Sequence, residues 1–77
     1  MILRDVKKIK DKSLDELAIG DILKRKSDRM YYDLKSITSP GGFEEMIFSF
    51  FGFTVRGARN LKEHFETNDS RKFTIYG

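Results

Sequence analysis

The residues that could do chemistry are few. The chain has one histidine, His64, and no cysteine in its 77 residues. His64 sits in KEHFE, and neither Glu63 nor Glu66 stands at a metal-ligand spacing from it. A nucleophile or a zinc ion needs several converging side chains, and this stretch does not supply them. Glu44 and Glu45 are consecutive, so on a strand they point to opposite faces and cannot work as an acid/base pair. Asp15, Glu16 and Asp21 form only an open acidic cluster, of the kind that ordinarily opens a helix. Gly41-Gly42 lacks the strand and helix that flank a phosphate-binding loop. An enzyme is not expected, nor a bound metal or cofactor.

Cations and aromatics remain. Lys24, Arg25, Lys26 and Arg29 make one basic cluster, while Arg56 and Arg59 bracket Gly57 with Lys62 close behind. Both could hold phosphates, with a tyrosine or phenylalanine stacking on a base. Both could equally be a solubilising rim, since lysines commonly blunt exposed strand edges. Fifteen basic and twelve acidic side chains leave a net charge of +3. The signs alternate along the chain: +3 over residues 1–12, −3 over 13–23, +3 over 24–38, −2 over 39–55 and +2 over 56–77. That describes a solvated surface rather than a nucleic-acid tail.

These residues must be positioned by one small domain, 1–77, near the size where burial only just offsets chain entropy. No apolar run approaches the roughly 20 residues of a membrane span. MILRDVKKIK is not a secretory leader, so a soluble cytoplasmic protein is expected. Residues 1–16 read as an N-terminal segment, ambiguous between helix and edge strand over 1–12. Ser13 and Glu16 have capping-box spacing, which predicts a short helix ending near Gly20.

Residues 21–37 admit two readings. As strands, GDILKRK turns at Ser27-Asp28 and returns as RMYYDLKSIT, with Met30, Tyr32 and Leu34 on one side and Tyr31, Asp33, Lys35 and Ile37 on the other. As helices, residues 14–23 and a second helix capped by Ser27 resemble a helix-turn-helix, to be followed by a C-terminal β-hairpin. Arg29, Tyr32, Lys35 and Ser36 would then face a major groove. Gly20 inside a helix and the adjacent Tyr31-Tyr32 pair favour strands.

Further on, EEMIFSFFGFTVRG alternates Met46, Phe48 and Phe50 with Ile47, Phe51, Phe53 and Val55. Both faces are apolar, which excludes a flat surface strand, and Gly52 supplies a bend or tight turn in the middle. Asn60 and Glu63 repeat the capping spacing ahead of a helical turn over 61–66, and RKFTIYG closes the chain as a strand.

The LAIGDILKRK…YYDLKSI hairpin with the late NLKEHF turn resembles small SH3-like and KOW-type barrel domains over residues 17–77. The resemblance implies a mainly β fold with short helices, a five-stranded barrel in which the glycine-bent strand meets core on both faces. KOW-type barrels often serve in transcription and translation complexes, so it also implies nucleic-acid binding. Size, Met start and a Lys/Ile/Phe-rich composition resemble small accessory proteins of phages or mobile elements, many of which act stoichiometrically on host machinery.

Ten aromatics exceed what so small a core can cover, so one or two should be exposed, Tyr31 and Phe51 or Phe53 foremost. The first expectation is a non-catalytic inhibitor or adaptor that contacts a protein partner through Tyr31, Phe51, Phe53, Arg56 and Arg59. The alternative is a nucleic-acid module using Lys24, Lys26, Arg29, Arg56 and Arg59. An exposed edge strand could also pair two copies, leaving monomer and homodimer both open.

Overall fold

The computed structural model describes residues 6–39, 41 and 45–77. Ile2, Glu44 and positions 40 and 42 of the expected SPGG turn lie outside them. The fold is mainly β, and the described residues form seven named strands, a 3-10 turn and one short helix. Strands β1 (Lys8–Lys12), β2 (Ile22–Lys24), β3 (Tyr31–Asp33) and β7 (Phe73–Tyr76) make a four-stranded antiparallel sheet in the order β1-β7-β2-β3. Strands β4 (Ser36–Thr38), β5 (Ile47–Phe50) and β6 (Phe53–Arg56) make a second, in the order β4-β5-β6. The sheets are separate and do not close on one another, so the five-strand count is replaced by seven strands in two open sheets.

Part of the segment expected to precede the fold belongs to it, because β1 pairs with β7 along its length. The Ser13–Glu16 spacing is used, although it makes only a single 3-10 turn over Leu14–Glu16. There the Glu16 carboxylate accepts from both the amide and the hydroxyl of Ser13. Those two bonds hold the Glu16 carboxyl below its ordinary range.

Residues 21–37 take the strand path, with β2 and β3 paired where the helical reading needs helices. The returning strand is broken in the middle. The Leu34 amide bonds the carbonyl of Asp21, just ahead of β2 in the first sheet, and the Lys35 amide bonds that of Ser49 in the second, so the chain changes sheets at this dipeptide. The break resets the alternation. Ile37 therefore packs against the core instead of facing away, while Met30, ahead of β3 and of the break, is exposed on the β2–β3 turn.

The apolar stretch 46–55 is resolved by its turn. Gly52, at φ 90°, takes a conformation that side chains resist and folds the chain into a hairpin. Phe48 then stands opposite Val55, and Phe50 opposite Phe53. All four face inward, so this is one inner face on a hairpin and not a bent strand with two apolar faces. The outward positions Ile47, Ser49, Thr54 and Arg56 are mostly polar.

A single core joins the sheets, with Leu23, Leu34, Phe48, Leu61, Phe65, Phe73 and Ile75 essentially inaccessible to water. Each such burial is worth about 1.5–3 kcal/mol relative to exposure. The Phe50 ring stacks on Phe65 at 4.7 Å and on Phe53 at 5.1 Å, so the hairpin is held to the residue that ends the helix.

Candidate functional site

A cluster of like charge lies where β6 runs into the helix. Arg56 ends β6 on the outer side of its sheet. Gly57, at φ 90°, turns the chain, and its amide bonds the Met46 carbonyl. Helix α1 spans Ala58–His64, three residues earlier than the Asn60 cap predicts. The reason is that the Asn60 side-chain amide donates back to the Arg56 carbonyl, which places Asn60 inside the first turn rather than at its start. Leu61 and Phe65, four residues apart, bury the inner side of this segment. Arg59 and Lys62, three apart, share another side of the helix.

Arg71 completes the cluster from the loop before β7, at φ 62°. Asn68 builds that loop: its side-chain oxygen accepts the amides of Ser70 and Lys72, and its backbone carbonyl accepts the Arg71 amide. Together Arg56, Arg59, Lys62 and Arg71, with Asn60, wall an open groove of about 500 Å³ that has no carboxylate among the described residues lining it. Four cations on one groove repel one another and favour an anion between them. Arg71 carries no motif in the sequence. Only the fold brings it to Lys62, Arg59 and Arg56, nine to fifteen positions away.

The other basic cluster is arranged differently. Arg25 is fixed in place, with its guanidinium 4.7 Å from the Tyr32 ring centre and 4.5 Å from that of Phe53. It donates to the Asp28 carboxylate at 2.6 Å, and the Tyr32 hydroxyl donates to the same oxygen. The Met30 amide donates to the second Asp28 oxygen at 3.0 Å. The Arg25 bond first, and the Tyr32 bond next, hold the Asp28 carboxyl far below the usual carboxylate range. The same carboxylate raises the Tyr32 phenol. This cluster is a clasp closing the β2–β3 turn.

Lys24 lies 5.6 Å over the Tyr31 ring, and Lys26 and Arg29 are exposed on the turn. The Lys26 amide bonds the His64 carbonyl, which puts this group at the far end of α1 from Arg56. The five residues of the nucleic-acid expectation therefore do not form one surface. Arg56 and Arg59 meet in the groove with Lys62 and Arg71, while Lys24, Lys26 and Arg29 surround the β2–β3 turn.

The aromatics divide as well. Phe51, at the β5–β6 tip, is 82% exposed. Phe53 is half-buried against Phe50 and Arg25. Tyr31 is half-buried edge-on to Tyr76 at 5.0 Å. Burial and the Glu66 hydrogen bond push the Tyr76 phenol up to about 12. Ile19 and Met30 are exposed apolar residues that sequence patterning does not single out. His64 is exposed, and its Nδ1 donates to the Asn60 carbonyl at 2.8 Å.

Among the described residues no three His, Asp or Glu side chains converge as metal ligands, and no helix is long and apolar enough to cross a membrane. No family model, curated protein or solved structure matches the chain.

Proposed function

We propose that this protein is a non-catalytic nucleic-acid-binding module that grips a phosphate backbone in the groove walled by Arg56, Arg59, Lys62 and Arg71. One observation carries the reading: four cations from three elements share one groove, with no carboxylate among the described residues that line it. Elsewhere Lys8, Lys12, Arg25 and Lys35 each stand within 4 Å of an aspartate. Cations left facing one another are a poor choice for stability and a good one for a polyanion. The two sheets fit an opened version of the SH3-like arrangement, a reading supported by their shared core and by the hairpin leading into a helical turn.

The test is fluorescence anisotropy of labelled oligonucleotides, single-stranded and duplex, across a salt series. Affinity should fall with salt, and Arg56→Gln with Arg59→Gln should flatten that dependence. Millimolar binding at low salt would refute the proposal. A protein partner is the second reading, because Phe51, Ile19 and Met30 are large apolar side chains left in solvent. In that case the protein acts as a stoichiometric inhibitor or adaptor of phage type, with Phe51 as the anchor.

A further inference from the structure

The outer face of the β4-β5-β6 sheet has a composition that neither burial nor solubility requires. The strand registers place Ser36, Ser49 and Thr54 side by side across the three strands, and Thr38, Ile47 and Arg56 in the next row. Five of these six side chains are polar, four are hydroxyls, and none is a carboxylate. Arg56 belongs both to this face and to the basic groove. At the opposite end, the alternation that turns Ile47 and Ser49 outward carries on to Phe51, which is 82% exposed beyond the last pair of the hairpin.

Resting on the groove reading above, we infer that the ligand is a single-stranded nucleic acid. Its backbone leaves the groove at Arg56 and crosses the Ser/Thr face, and an unpaired base stacks on Phe51. Arg56 stands opposite Ile47, and Phe51 follows four residues later. At about 3.3 Å per residue the path from Arg56 to Phe51 is therefore about 13 Å, a few nucleotides long. Serine and threonine hydroxyls are ordinary donors to phosphate and sugar oxygens, and these six positions hold no carboxylate to repel them. An aromatic ring at a hairpin tip can receive only a base whose π-face is free. A duplex keeps its bases stacked inside and would leave Phe51 idle, so the tip distinguishes the two ligands.

The chain contains no tryptophan, so Phe51→Trp puts a single indole reporter at the tip. The exposure of Phe51 leaves the fold undisturbed by this change. A single strand should quench that emission in step with its anisotropy titration, while heparin and duplex DNA should bind without quenching. Phe51→Ala should weaken single-strand binding about 5- to 150-fold, the range that stacking of one base on an aromatic ring covers, and leave duplex binding unchanged. Thr54→Glu, which places a carboxylate in the middle of the face, should also weaken the single strand selectively. Salt-sensitive binding of single strands with an unresponsive tryptophan would overturn this inference and leave the groove reading standing. Absence of binding by any polyanion would overturn both.

Discussion

Replacing Arg71 with asparagine should make the protein more stable and a weaker binder. Arg71 sits at φ 62°, in the left-handed region. That conformation costs an L-residue about 1–2 kcal/mol, whereas asparagine adopts it several-fold more readily than other side chains. The Arg71 amide keeps its bond to Asn68 whatever the side chain. Arg71→Asn should therefore recover about 0.5–1 kcal/mol, part of that strain. For a chain of this length the gain raises Tm by about 2–8 °C.

The cost appears in binding. Four groove cations contacting a single strand give a slope of log K on log salt of about −2.8, and three give about −2.1. Between 50 and 200 mM salt the natural protein should lose about 50-fold in affinity and the variant about 18-fold. Arg29, at φ 58°, supplies the control, since it has the same strain but lies on the β2–β3 turn away from the groove. Arg29→Asn should raise Tm similarly and leave the salt slope alone. Thermal melts and anisotropy titrations on the three proteins decide it. A lower Tm for Arg71→Asn, or a salt slope equal to the natural one, would refute the reasoning.

Two further outcomes concern the fold. Phe48 is fully buried, so Phe48→Ala should cost about 3–5 kcal/mol, as much as a core of this size supplies, and circular dichroism should show a largely unfolded chain. Asp28→Asn removes the carboxylate that holds Arg25 and Tyr32. Because the folded Asp28 carboxyl titrates below its unfolded value of about 3.9, its contribution is present above that pH and fades as pH falls through the folded value. The Tm gap between natural protein and Asp28→Asn should be positive at neutral pH and shrink in strong acid. An unchanged gap would show that the carboxylate's charge is not what holds the clasp.

Local signals in the sequence are more legible than non-local ones. Gly52 and the tyrosine pair speak through backbone preferences of one or two residues, and a turn and a strand stand there. At Ser13–Glu16 the spacing likewise is used, with the Glu16 carboxylate accepting from the Ser13 amide and hydroxyl. The direction of each face depends on events that alternation cannot carry across. One turn at Phe51-Gly52 puts Phe53 and Val55 on the same side as Phe48 and Phe50. One change of sheet at Leu34-Lys35 brings Ile37 inward. The groove is less legible still, since Arg56 ends a strand, Arg59 and Lys62 ride a helix whose start is set by a back-bonded Asn60, and Arg71 comes from a loop built on Asn68. A charge run along the sequence describes which cations are neighbours in the chain, while binding depends on which cations lack an acid beside them in space. By that measure the conspicuous Lys24–Arg29 cluster, with Arg25 neutralised by Asp28, is the weaker candidate, and four cations scattered over sixteen positions are the stronger one.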